Sequence, residues 1–363
     1  MKKGSLNILY VSIFCGFIIG VFFSCSSLIF LINGNGKIRA QEIAIGDYDK
    51  ISISNAFEYE YVHGVDSSFL IIETDENLIP YFHCYVKNRT LYIEIKNPET
   101  GESISNYRIN SSKCLIRTGS PQLLQVVQTG TSEFTIVNSF TANSFELYKN
   151  GSGLFCFRKE IQLGTLKMVQ NGSGSIIVRD VCRMKNMTVL STGSGNVEFY
   201  NLIQGQKMDI TSTGSGLFLS DWDINVDILN FDHKGSGNST FNGIISAEQF
   251  AVQQSGSSSI ACNGFLDIGV FNLNKTGSNS LSLKQGVIKK SLIYNSGSGG
   301  VTGLGCTFLE LGCNIVGSAY VTATVTESLS YSIAGSGRLT VHGNPQVKHS
   351  AVRGSGSFIL MKN

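Results

Sequence analysis

From residue 130 onward the apolar and polar positions of the chain recur with a period of 21. Four residues after each of seven glycine markers stand Phe155, Ile176, Val197, Phe218, Ser239, Ile260 and Leu281; two further on stand Phe157, Val178, Phe199, Ser220, Phe241, Cys262 and Leu283. The tenth position reads Ile161, Cys182, Ile203, Ile224, Ile245, Leu266 and Val287, and the fifteenth Leu166, Met187, Met208, Leu229, Phe250, Phe271 and Leu292. The seventeenth reads Met168, Val189, Ile210, Phe231, Val252, Leu273 and Tyr294. Alternation by two within a segment predicts short strands with one face inward. Three such segments per repeat, with like residue on like at a constant offset, predict an all-β, single-chain parallel β-helix in which each strand pairs with its equivalent one turn away. A helical solenoid needs apolar spacings of three and four, which these columns do not supply.

The markers are Gly-Ser-Gly tripeptides starting at Gly151, Gly172, Gly193, Gly214 and Gly235, with eroded copies at Gly130, Gly256 and Gly277, all 21 residues apart. Later copies begin at Gly297, Gly317, Gly335 and Gly354, at intervals of 20, 20, 18 and 19. Twelve markers bound about eleven rungs, and at about 4.8 Å per strand these make a rod of roughly 50 Å. Glycine at the corners is expected for the backbone angles that residues with a Cβ reach only at a cost. Of the four prolines none lies between Pro121 and Pro345, as an unbroken hydrogen-bond ladder demands. The general preference for right-handed parallel crossovers predicts a right-handed coil.

Before the repeats, residues 37–122 lack the period but contain ordinary strand patterns at 50–54, 69–73 and 90–95. A solenoid needs its first rung covered, so the chain divides into an anchor segment (1–32), an N-terminal β segment capping the solenoid (33–122) and the parallel β-helix (123–363); a separate binding domain at 33–122 is the alternative. The apolar stretch 357–363 predicts an open strand edge that packs against another copy, giving a homo-oligomer through the C-terminal end, or against a partner.

Charge then sets the compartment. Lys2 and Lys3 precede 25 uncharged residues, 8–32, a targeting or anchoring segment long enough to span a bilayer, with the remainder exported. Phe22-Phe23-Ser24-Cys25-Ser26 has the form of a lipoprotein processing site, so lipid on Cys25 and a retained membrane helix are both open. From Asn33 the charges balance at 26 basic and 26 acidic residues, which argues against nucleic acid as a partner. Seven cysteines follow the anchor at irregular spacing, several within apolar columns, which predicts buried thiols, with a Cys306–Cys313 disulfide as the alternative. The five histidines form no metal-ligand spacing, no nucleophile motif or phosphate loop is present, and no cofactor is predicted.

One outward column carries candidate chemistry: Arg158, Arg179, Tyr200, Asp221, Asn242, Asn263 and Lys284 at the seventh position. Asp221 and Asp223 flank Trp222, the only tryptophan, an arrangement able to stack on and hydrogen-bond a sugar. Asp221, Trp222, Asp223 and Arg179 are therefore the candidate ligand-binding residues. An enzyme reading, a polysaccharide lyase or hydrolase, would use Asp180, Asp221 or Asp223 as acid or base. A solvated polar face explains the same column without any ligand.

The segments Asn33-Gly34-Asn35-Gly36-Lys37, Asp49-Lys50-Ile51-Ser52-Ile53, Glu73-Thr74-Asp75-Glu76-Asn77-Leu78-Ile79-Pro80 and Asn88-Arg89-Thr90-Leu91-Tyr92-Ile93 together resemble the opening of the GIN-type head domain family. Its members are described as autotransporter adhesin heads and are similarly rich in Gly-Ser-Gly rungs. The resemblance covers nearly everything after the anchor. It implies a β-helix at the cell surface or in the periplasm with an adhesin-like role, no established catalytic motif, and an extracellular glycan or surface protein as partner. A ligand-free envelope spacer is a third reading.

Overall fold

The computed structural model describes residues 29–362. Within them one turn of 3-10 helix, Ile79–Tyr81, interrupts an otherwise all-β chain. The rod is a β-solenoid whose parallel ladders connect residues 21 apart, Phe155 with Ile176 with Val197 and Ile161 with Cys182 with Ile203. A regular rung consists of a three-residue strand such as Ile176–Val178 and a ten-residue strand such as Cys182–Ser191. In the longer strand the buried positions are 182 and 184, then 187, 189 and 191. The switch from even to odd marks a bend, and the ladder skips Gly164 and Lys185 there. The three predicted segments are thus two strands, the second bent.

The predicted inward columns are buried from Phe155 through Leu283, including the polar Ser220 and Ser239. After Leu283 the columns diverge from expectation. Cys262 pairs with Leu283, but Leu266 pairs with Gly286 rather than Val287, because this rung has lost one residue between the two pairs. Side chains alternate faces with a period of two, so a one-residue slip turns every following residue over. Val287, Leu292 and Tyr294 consequently face outward, while Ile288, Ser291 and Ile293 take the inward places.

The corner glycines serve two purposes. At Gly172 the close approach of stacked turns decides: a Cβ there would lie 2.0 Å from the Gly151 carbonyl oxygen. From Gly256 to Gly354 the first glycine of each marker also has positive φ, +97° at Gly277, a region where a Cβ is strained. The expectation of unusual backbone angles therefore holds for the distal markers, and contact distance replaces it in the proximal ones.

Inside the rod runs a file of polar side chains, one per rung: Gln128, Lys149, Gln170, Ser191, Ser212, His233, Gln254, Lys275 and Asn295 are in successive register and buried. Ile53 and Ile315 occupy the same place at either end. Each residue is the last inward one before a corner, where a side-chain donor can give a turn carbonyl a second hydrogen bond beside the backbone one that Ser258, Gly299 and Gly151 already accept. The Gln254 amide donates to the carbonyls of Ser258 (3.2 Å) and Ser280 (3.0 Å), and the Asn295 amide to those of Gly299 (3.2 Å) and Tyr320 (3.1 Å). Both tie the turn of their own rung to the next. Burial pushes the Lys149 and Lys275 pKa values down to about 8. Lys149 Nζ donates to the Gly151 carbonyl (3.1 Å) and Lys275 Nζ to Asn295 Oδ1 (3.3 Å).

At the N-terminal end, order along the chain and order in the stack differ. Gln125–Gln128 and Glu133–Ile136 lie parallel to Lys50–Ile53 and Glu58–His63, and these in turn to Thr90–Ile95 and Leu115–Ser120. Beyond that rung Phe82–Lys87 pairs antiparallel with Thr90–Ile95, Phe69–Asp75 antiparallel with Leu115–Ser120, and Ile38–Glu42 antiparallel with Phe69–Asp75. Phe30–Asn33, at the end of the uncharged segment, is a strand parallel to Tyr107–Asn110 with Ile32 buried. Cys84, Cys114, Cys156, Cys182, Cys262, Cys306 and Cys313 are all free thiols, the last five buried, so the alternative Cys306–Cys313 disulfide is not formed. Cys25 and the rest of the anchor segment lie outside the described residues.

Candidate functional site

The seventh-position column forms a ladder on the outside of the rod. Asn263 donates to Asn242 (2.8 Å), and Asn242 to Asp221 (2.7 Å). The Arg179 guanidinium lies over the Tyr200 ring, 5.9 Å from its centroid, and the Tyr200 hydroxyl donates to Glu198 (2.5 Å). That hydrogen bond, ahead of burial and the Glu198 charge, raises the phenol pKa. Trp222 stands out from the corner between the short and long strands, 56% exposed. Asp223 accepts from the Ile244 amide of the next rung (2.8 Å), and Asp180 from the adjacent Val181 amide (2.8 Å). Asp221, Trp222 and Asp223 are contiguous, whereas Arg179 is two rungs away with Tyr200 between. Asp221 and Asp223 are engaged with the next rung and Asp180 within its own corner, the ordinary chemistry of a polar solenoid face.

A large concavity lies elsewhere, at the bend of the ten-residue strands, with a volume of about 1160 Å³. It crosses four rungs, each giving two or three consecutive residues: 141–143, 162–164, 183–185 and 204–205. Leu163 and Met184, each 5% exposed, form its floor with the small Ala142 and Gly205. Asn143, Gln162, Gln204, Arg183 and Lys185 rise around them, and His63, Pro121 and Gln122 close the cap end. Arg183 is also paired with Glu160. The His63 ring is wedged edge-on against Phe140 at 4.5 Å, with Nε2 at 2.8 Å from the Thr141 carbonyl and Nδ1 buried without a partner. Burial lowers the His63 pKa, so the neutral ring donates from Nε2. The lining residues include no carboxylate, and among the described residues no cluster of three metal-ligating side chains occurs.

The sequence matches the family described as "Putative auto-transporter adhesin, head GIN domain" over residues 47–219 and 224–345. The chain belongs to this family. No curated protein matches it. Among solved structures, this head GIN domain chain is similar to a "putative adhesin" from Bacteroides fragilis (16% identity, TM-score 0.38, covering 91% of this chain and 100% of that one). It is also similar to a "putative adhesin" from Parabacteroides merdae (17%, TM-score 0.33, 91% and 99%) and a "putative lipid binding protein" from Parabacteroides distasonis (22%, TM-score 0.31, 91% and 99%).

The periodicity of this head GIN domain solenoid exposes the Asp221–Trp222–Asp223 corner but conceals the groove. Positions eleven to thirteen, where amides, glycines and cations mix, read as an irregular linker between columns. Only the parity change from ten and twelve to fifteen and seventeen signals that the strand bends and leaves a concave face.

Proposed function

We propose that the protein is an exported, membrane-tethered, non-enzymatic module of the cell envelope, facing outward from the cytoplasm, with an adhesin-like role in which an extended polymer lies along the groove at the bends. The observation that carries this reading is the groove's construction. Its floor repeats one apolar or small residue per rung, its walls are amides and two cations, and it runs with the rod axis, so successive units of a chain meet equivalent surroundings every 4.8 Å or so. Several weak equivalent contacts add to a useful affinity. The family supports an extracytoplasmic binding role, and the Arg183–Lys185 pair favours a polymer with acidic groups. Trp222, with Asp221 and Asp223 beside it and Arg179 two rungs away, is a second contact on the same rod.

The test is retention of polysaccharides and glycoproteins on the immobilised full-length protein, with newly formed reducing ends recorded in the same samples. Retention that falls when Arg183 and Lys185 are both replaced by alanine, with no new ends, is the expected result. New reducing ends that vanish with Asp221→Asn would establish the carbohydrate-active enzyme instead. Silence in both channels would point to a ligand-free spacer.

A further inference from the structure

The one-residue slip in the rung after Leu283 has a chemical consequence on the outer face of the rod. Leu292 and Tyr294 are turned out to 52% and 40% exposure. In register on the preceding rung lie Asn272 and Asn274, and on the following rung Gly312 and Asn314. One rung further back stand Ala251 and Gln253. Leu292 and Tyr294 line a cleft of about 340 Å³ with Ala251, Gln253, Asn272 and Asn274, and Gly312 and Asn314 adjoin them in register on the other side.

Three features separate this patch from an ordinary solvated face. First, no charged residue lines the cleft. Second, its amides are uncommitted. Elsewhere outward amides bond along the stack, as Asn263 does to Asn242 and Asn230 to Asp209. Among the described residues, Gln253, Asn272, Asn274 and Asn314 have no side-chain partner, nor does the Tyr294 hydroxyl. Third, the small Gly312 leaves the side of Leu292 open; a Cβ there would come within 3.1 Å of Leu292 Cδ1. An exposed phenol ring and a leucine amid free neutral amides are complementary to a ring with apolar C–H faces and uncharged hydroxyl edges. The ring packs on Tyr294 and Leu292 while the amides exchange hydrogen bonds with the hydroxyls.

We infer that the Leu292–Tyr294 patch is a binding site for a neutral saccharide. An ionic ligand would find no counter-charge there, and a purely apolar partner would leave the four amides unpaired at a cost. The patch lies on the strand segment beyond the bend, with Leu292 and Tyr294 four rungs along the rod from the last rung of the groove and no lining residue shared with it, so it does not rest on the groove reading.

The experiment is titration of the full-length protein with neutral hexasaccharides of glucose, mannose and galactose, alongside zwitterionic lipid vesicles as an apolar probe, monitored by ligand-observed NMR. The proposal expects at least one hexasaccharide to bind, Tyr294→Ala to weaken it about tenfold, and the Arg183/Lys185 double alanine variant to leave it unchanged. Leu292→Asn, an outward substitution, is a second variant and is expected to weaken binding less. Absence of binding by every hexasaccharide, equal binding by Tyr294→Ala, or Tyr294-dependent binding of vesicles alone would overturn it. Loss of neutral-saccharide binding with groove-dependent polymer retention intact would refute this site and leave the proposed function standing.

Discussion

The proximal rungs, from Gly130 to Gln254, and the distal rungs, from Gly256 to Gly354, are built from the same tripeptide and behave differently. Proximal rungs keep 21 residues, break cleanly between a short and a long strand, and hold their corner glycines at negative φ. Distal markers stand 21, 20, 20, 18 and 19 residues apart and carry their first glycine at positive φ; the four rungs up to Gly335 run as continuous strands of 16–19 residues, and the last divides again into Arg338–His342 and Gln346–Arg353. The interior polar file also stops in the distal region, where Ile315 and Ile333 follow Asn295. The change precedes the shortening, because the Gly256 rung keeps 21 residues and already has the positive φ and the continuous strand.

The largest effect that sharpens this contrast comes from the glycines. Gly172→Ala places a Cβ against backbone that cannot move without displacing the rung below, and is expected to cost more than about 3 kcal/mol or prevent folding. Gly36→Ala on the cap, at φ +79° with nothing within 4 Å, pays only the backbone strain of about 1–2 kcal/mol. Thermal denaturation of the two variants measures the difference, and equal losses would mean that close packing is not the proximal constraint.

The buried lysines come next. Lys149 and Lys275 have folded pKa values near 8 against an ordinary 10.5. The unfolded chain therefore binds more protons between these values, and their unfavourable contribution is full below pH 8 and relieved as pH rises towards 10.5. Lys149→Gln and Lys275→Gln continue the amide file without the charge. Each is expected to raise stability by about 1–3 kcal/mol at pH 7, with the advantage over the parent shrinking between pH 8 and 10.5. Comparison against the parent is needed because buried thiols such as Cys182, pushed up to about 12, weaken both proteins as the unfolded thiols ionise above pH 9. An advantage that grows with pH would contradict the assignment.

A smaller loss, about 1–2 kcal/mol, is expected from Gln254→Leu, which removes the amide's hydrogen bonds to the Ser258 and Ser280 carbonyls. Ile315→Val in the distal continuation of the file should cost only about 1 kcal/mol. Chemical denaturation distinguishes the two if slope and midpoint are both fitted.

Periodicity of two within 21 makes the proximal architecture legible, because five apolar columns and a glycine column leave one consistent coil. What it conceals follows from chemistry and counting. The polar file occupies the nineteenth position, inward by the same alternation that places Leu166 and Met168, but Gln, Lys and Ser there read as surface. The slip after Leu283 is hidden because Val287, Leu292 and Tyr294 are themselves apolar and fit the columns in the wrong phase. The cap strands at 50–54 and 90–95 are plain in the sequence. Their stacking is not, since it depends on pairings between segments about 40 residues apart. At the candidate site, Asp221, Trp222 and Asp223 stand out by residue type, whereas the groove is a property of backbone curvature at residues of no distinctive type.

The most direct test of this account is paired alanine substitution at neighbouring positions 292 and 293, read by equilibrium unfolding. The slipped register predicts that Ile293→Ala, emptying a fully buried site, costs about 2–5 kcal/mol, while Leu292→Ala stays within about 0.5 kcal/mol of the parent. The reverse order would place Leu292 in the core, return the distal rungs to the 21-residue phase, and remove the exposed Leu292–Tyr294 patch together with the saccharide site inferred from it.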